Sequence, residues 1–419
     1  MSTQIKSLTR IITQSSLFFL FLGNLVGLLL SILIAYPDAN SILPQINFGR
    51  LIPVHLNFQL YGWSAIPLLG LILNLFLDKT QWNKRSSSVP IFIWSLSLCI
   101  GAFSWILGNS SGKLFLEWQG FAKYFFLFNL SFLWCFIAYS YYRGQLKQDS
   151  KSARIFKLAL LTLLSSIPFI FYQALDPNLF PPINKISSGA TGSSLLLSTL
   201  AVIFIMLILP LILQVKRSKT YKIYLGFFFF FLHIFLSQYI NLSHSTNLDK
   251  DQIIGLSSLI IWIPLLFLYY RNFNFPGYCR LWLMSCLFWG TILTLTAIYM
   301  FLPPNLLVAK FSSYLVTHVH LAMGGFISSL CMVILTSFPT ANTHLANRKL
   351  FNLWHKGLLI HFISTLLLGF LESATNGVLY YSPDLAIGWI VSSVYMIRIV
   401  AGIILTYCPY AWLFKGRYV

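Results

Sequence analysis

Twelve long apolar runs, separated by short segments that carry most of the basic residues, constrain this chain more than any other feature of its sequence. About 20 consecutive apolar residues cross the hydrocarbon core of a bilayer as an α-helix. Runs of that kind lie at roughly 15–36, 52–77, 89–108, 118–142, 156–175, 190–214, 221–242, 253–270, 279–302, 310–337, 355–376 and 385–413. The expected fold is an all-α integral membrane bundle of twelve transmembrane helices. No polar stretch between the runs is long enough to bury a core of its own, so residues 1–419 read as a single polytopic membrane domain. Composition agrees. Hydrophobic residues make up 57% of the chain and charged ones 9%, and the mean hydropathy of +0.76 lies outside the soluble range.

The formal charge of +19 does not mark a nucleic-acid binder, because the Lys and Arg residues cluster beside the apolar runs. Topogenic charges are distributed in this way. Of 28 Lys and Arg, 21 fall at the termini or around the loops after even-numbered runs. Five fall around the loops after odd-numbered runs: Arg50, Lys113, Lys185, Lys250 and Lys310. The positive-inside rule then places both termini in the cytoplasm, in a multi-pass protein of the inner cell membrane. Lys6 and Arg10 precede the first run without a small-residue cleavage site, which reads as a retained span rather than a signal peptide. The six cysteines are scattered, nearly all within apolar runs, with no C-x-x-C pair. They read as small hydrophobes.

Histidines carry the chemistry. His318 and His320 stand two residues apart in Thr317-His318-Val319-His320-Leu321-Ala322-Met323-Gly324-Gly325. On an α-helix that spacing is a rotation of about 200°, so the two rings face nearly opposite sides and serve different metals if they serve any. In the expected topology His55 lies a few residues into the second run and the pair eight to ten residues into the tenth. At 1.5 Å rise per residue, these depths in the outer third of the membrane differ by about 5–10 Å. A haem standing across the membrane needs imidazoles at matching depth on two helices, and haem iron takes one or two of them. The competing reading of each ring is hydrogen-bonded packing inside the bundle. His344 and His355 are expected in the loop between the tenth and eleventh runs, His361 in core or interfacial packing and His233 in the middle of the seventh run. His244, at the outer end of the seventh run, is the remaining candidate for a second metal.

Two segments resemble the catalytic subunit I of haem–copper oxidases, closest to the cbb-type cytochrome oxidases. Gly49-Arg50-Leu51-Ile52-Pro53-Val54-His55-Leu56-Asn57-Phe58-Gln59-Leu60-Tyr61-Gly62-Trp63 is similar to that family's haem-ligand segment in its second helix, and Thr317–Gly325 to its H-x-H segment in the tenth. Arg398 has a looser counterpart in the last helix. Twelve spans with cytoplasmic termini are that family's architecture. The resemblance implies a b-type haem in a low-spin site ligated by His55 and His320. It also implies a second, high-spin haem with His318 as proximal ligand. Arg50, Tyr61 and Trp63 would contact haem propionates or ring edges; an interfacial aromatic belt and a juxtamembrane charge explain them equally. The expected partners are lipid, other respiratory-complex subunits and a cytochrome c-type electron donor.

The chain departs from the family at copper. The family's oxygen-reducing centre holds copper with one histidine from the sixth helix and a neighbouring pair at the outer end of the seventh. Run six contains no histidine, and its outer end reads Ser188-Gly189-Ala190-Thr191-Gly192-Ser193-Ser194; run seven ends Asn241-Leu242-Ser243-His244-Ser245. One imidazole binds copper poorly. The resulting expectation is a b-haem electron-transfer subunit with a doubtful copper site. The alternatives are a terminal oxidase reducing dioxygen to water or a nitric oxide reductase-like enzyme with an altered second centre. A haem-free twelve-helix transporter or structural subunit is a further alternative. Glu117, Lys123, Glu372 and Arg398 are the ionisable residues in or beside the runs that merit functional attention.

Overall fold

The structure, a computed structural model, describes residues 3–41, 46–77, 84–179, 181–182, 195–217, 221–240, 250–302, 305–338, 345–374 and 385–414. Among these residues the regular structure is helical, apart from one isolated bridge between Arg217 and Phe273. Ten helices of the described residues are long and apolar enough to cross a membrane. They coincide with ten of the twelve expected runs. The other two runs hold the shorter apolar helices Ser198–Ile212 and Ile223–Gln238, each beside residues outside the description (183–194 and 241–249). The chain is a multi-pass membrane protein.

The residues fall into two compact units. The first comprises Met1–Pro182, Ile334–Leu350 and Leu405–Val419. It is built from α1 (Thr3–Ala35), α2 (Phe48–Asn57), α3 (Ala65–Phe76), α4 (Lys84–Ile106), α5 (Gly120–Arg143), α6 (Lys151–Ser165) and α7 (Ile167–Ala174). Between α2 and α3 the second span widens into a π-helix, Phe58–Ser64. There the Ala65 N–H bonds to the Leu60 carbonyl five residues back, and the Ser64 hydroxyl donates to the Gln59 carbonyl at 2.9 Å.

Helix α1 packs antiparallel on this second span through glycines from both partners. A Cβ on Gly27 would lie 2.6 Å from His55, one on Gly23 2.7 Å from Gln59, one on Gly62 2.5 Å from Phe19 and one on Gly70 2.7 Å from Ile12. Small residues let helix backbones approach closely in lipid, where burial of apolar surface gives no net drive to association. The Gln59 and Asn24 amides seal the contact at 2.7 Å, and Asn24 donates onward to the Leu405 carbonyl at 2.7 Å.

The second unit comprises Ile183–Val333 and Phe351–Ile404. Its helices are α8 (Leu195–Ile212), α9 (Tyr221–Ile240), α10 (Lys250–Ser258), α11 (Trp262–Tyr270), α12 (Gly277–Phe301), α13 (Asn305–Lys310) and α14 (Ser313–His320). Most of α15 (Ser328–Ser337), α16 (Arg348–Ala374) and α17 (Leu385–Phe414) also belongs to it. Between α14 and α15 the tenth span widens into a second π-helix, Leu321–Ile327. Ser328 closes it as Ser64 closes the first: its N–H reaches the Met323 carbonyl, and its hydroxyl donates to the same oxygen at 2.7 Å.

Two helices flank the tenth span. On one side α12 runs antiparallel: Gly325 lies under Trp289, with a would-be Cβ at 2.9 Å, and Ser329 donates to Ser285 at 3.2 Å. On the other side α16 also runs antiparallel and pins the start of α14. The buried Glu372 carboxylate accepts the Ser313 backbone N–H and, at 2.9 Å, the Ser313 hydroxyl. A carboxylate at a helix N-terminus satisfies an otherwise orphaned donor and complements the helix dipole. Glu372, a functional candidate in the sequence, is thus engaged as the anchor of the span that carries the H-x-H pair.

Candidate functional site

The second span positions His55 in the first unit. Its helix starts at Asn47, whose side chain caps the Arg50 N–H at 3.1 Å. The His55 ring lies on Gly27, and its Nδ1 is 2.8 Å from the Gly23 carbonyl. A carbonyl only accepts, so the proton sits on Nδ1 and the lone pair on Nε2. That is the tautomer of an Nε2 metal ligand, with the opposite nitrogen held by a backbone oxygen.

His318 and His320 repeat this arrangement in the second unit. His320 Nδ1 is 2.8 Å from the Val316 carbonyl. His318 Nδ1 is 3.1 Å from the Thr296 hydroxyl, which donates its own proton to the Leu293 carbonyl at 3.0 Å and so accepts from the imidazole. All three rings therefore carry the proton on Nδ1 and the lone pair on Nε2. Residues 313–320 are regular α-helix, so the half-turn between the rings of the pair, read from spacing, applies to them. Both spans enter their π-helices within three residues of a candidate histidine. Such segments are rare and concentrate at functional sites.

His233 shows the contrast. Its Nδ1 accepts from the Trp262 indole at 2.8 Å, so its Nε2 carries the proton and donates to Ser258 at 2.9 Å. Both nitrogens are used and the tautomer is the opposite one, which makes His233 a packing residue. His355, expected in a loop, instead lies in the third turn of α16. Its Nδ1 faces the Phe351 carbonyl at 2.8 Å and its Nε2 takes the Ser285 hydroxyl in a short hydrogen bond. Leu350, Phe351, Leu353 and Trp354 extend the helix past the boundary that hydropathy alone suggests. His361 stands against His320, with ring centroids 4.4 Å apart. Sequence reading placed it in packing and had no signal for which helix it faces.

The expected surroundings of the first unit have protein partners. Arg50 donates to the Ile106 carbonyl at 3.1 Å, at the carboxyl end of α4. Tyr61 donates to the Phe115 carbonyl at 2.8 Å and meets the Trp118 and Phe126 rings edge-on at 5.7 and 5.2 Å. Trp63 is fully buried. Glu117, two residues from Phe115, is 2% exposed, and its Oε2 accepts from Asn57 at 2.8 Å. Among the described residues no group of three or more His, Cys, Asp or Glu side chains could hold a metal ion. His244, His344 and the Ser188–Ser194 segment lie outside the described residues.

Comparison with known proteins gives one curated relative and one solved neighbour of note. Over 113 residues, 26% of the chain, it is 25% identical to a cytochrome c oxidase subunit 1 homolog of Azorhizobium caulinodans. The aligned part spans 20% of that relative's length, and no family model matches the chain. A haem–copper terminal oxidase dimer solved by cryo-EM superposes with a TM-score of 0.48 at 11% identity, over 99% of this chain and 84% of that one. The curated match agrees with the resemblance that the two histidine segments carry: the protein is similar to haem–copper oxidase subunit I, and divergent from it.

Proposed function

We propose that the protein is a b-haem-binding respiratory membrane subunit that passes electrons through a low-spin haem ligated by His55 and His320. The observation that carries this reading is the shared tautomer: each of His55, His318 and His320 has its proton held at Nδ1 by an oxygen and its lone pair on Nε2. The donor set fits a haem, since neutral imidazole is its usual axial ligand. The Gly23 carbonyl and Gly27 fix the His55 ring from one helix, and the Val316 carbonyl fixes His320 from its own. A haem held by two imidazoles supplies one-electron transfer with no coordination position left for a substrate. His318, turned half a revolution away, would ligate a second haem through a more weakly held ring, since its hydroxyl acceptor lies at 3.1 Å and the carbonyls that hold the other two lie at 2.8 Å.

The same reading makes residues 1–419 one polytopic domain of the inner membrane with cytoplasmic termini. It works beside other respiratory subunits and a cytochrome c-type donor. Copper enters no step here, because the side chains proposed for it, His244 foremost, lie outside the described residues.

Purified protein should give a reduced-minus-oxidised spectrum with a b-type α-band and a pyridine haemochrome of b-type haem. His55→Ala and His320→Ala should each abolish the low-spin signal, and His318→Ala should spare it. A preparation without any such band sinks the haem reading and leaves a transporter or structural subunit. Copper analysis with oxygen and nitric oxide uptake then decides whether a terminal reductase is present.

A further inference from the structure

His361 has no role in the reading above, yet it touches the residue on which that reading depends. It lies in α16, 5% exposed, and its ring centroid is 4.4 Å from that of His320 with 48° between the planes. That separation is direct ring-on-ring contact. His320 is thus restrained from two directions. The Val316 carbonyl at 2.8 Å holds Nδ1, which settles the protonated nitrogen. A hydrogen bond at Nδ1 does not by itself set the plane of an imidazole, because the second torsion of histidine is broad. The His361 ring, 4.4 Å away, adds a second restraint on that plane.

His361 is itself held in register. The helix that carries it meets the tenth span at three further levels: Glu372 on Ser313, Gly369 against the Tyr314 backbone, and Leu358 against Gly324. A Cβ on Gly369 would lie 2.8 Å from the Tyr314 nitrogen, so α16 sits as close to the ligand helix as backbones allow. These contacts fix the backbone of α16 against the tenth span at the level of His361.

We propose that His361 is a positioning residue that sets the plane of the His320 imidazole about its bond to haem iron. The proposal rests on the reading of His320 as a haem ligand. The orientation of an axial imidazole plane governs how the iron d orbitals split, so outer contacts of a ligand ring tune the metal without touching it. The low-spin electron paramagnetic resonance spectrum of the oxidised protein reads that orientation directly.

The test compares wild type, His361→Ala, His361→Phe and His361→Leu, purified with haem content matched by pyridine haemochrome. Removing the ring in His361→Ala should shift and broaden the largest g-value while the low-spin haem is retained. His361→Phe, which restores a flat face, should return the signal toward wild type, and His361→Leu should not. An unchanged g-value in His361→Ala overturns the proposal and leaves His320 as a ligand. If His361→Ala fails to hold haem, the other pair decides: equal g-values in the Phe and Leu variants overturn it. Wild-type protein without a low-spin signal overturns the assignment of His320, and this proposal with it.

Discussion

Glu117 shows how the interior of the first unit treats a carboxyl group. The carboxyl is buried, and one of its oxygens accepts from Asn57 at 2.8 Å. Burial pushes the carboxyl up to about 7, and the Asn57 hydrogen bond offsets part of that rise. The folded value lies above the ordinary 4.5, so between those limits the native state binds the proton more tightly than the unfolded chain. Stability from this group is therefore full below about pH 4.5, declines as pH rises to about 7 and is flat beyond. The total is on the order of 3 kcal/mol. Glu117→Gln should remove this slope and melt higher than wild type at pH 8; parallel melting curves of the two proteins from pH 5 to 8 would sink the prediction. The three ligand candidates were legible in the sequence because histidine is costly in an apolar run and the H-x-H spacing fixes opposite faces. His361 was not, because one-dimensional hydropathy carries no information on which neighbouring helix a side chain meets. Glu372 was visible as an intramembrane carboxylate, but its capping of Ser313 depends on a pairing of helices that spacing does not reveal.

The helix is the scale at which the spans of His55 and of the H-x-H pair differ from ordinary transmembrane segments. Each contains a π-helix next to its histidine, closed by a serine that bonds five residues back. A single turn of that kind turns the rest of the span relative to the ligand, since each residue adds about 100° in an α-helix. The turn brings Gly325 under Trp289 and Ser329 to Ser285. Deleting Gly324 should return the span to regular α-helix and take both contacts away, at several kcal/mol, the range reserved for lost core packing. Gly324→Ala keeps the length and meets only Leu358 at 3.0 Å, so it should cost about 1 kcal/mol or less. Thermal unfolding in detergent distinguishes the two; equal melting points for deletion and substitution would refute the role given to the extra residue. Neither π-helix was readable beforehand, because an apolar run long enough to span a membrane looks the same with or without one added residue. The packing of Gly23 and Gly27 against Gln59 and His55 also needed the structure, since a sequence does not say which span a glycine meets.

For the whole molecule, charge distribution and helix count make the strongest statement. The asymmetry of 21 to 5 basic residues predicts both ends of the chain in the cytoplasm. A reporter active only in the cytoplasm should work when fused at either Met1 or Val419; activity at one end alone would refute an even number of crossings. Hydropathy located the helices well, since the requirement for length and apolarity acts on each span separately. It could not divide them into two compact units, because that division depends on packing between spans. The paired π-helices also bear on descent. An added residue of this kind corresponds to one inserted codon, so a comparison of distant relatives should open a gap within a few positions after His55 and after His320. A relative lacking either codon would keep the histidine yet show its partners a differently turned lower span. Alignments that forbid gaps inside transmembrane helices would mispair everything beyond the ligand, and similarity would fade there first.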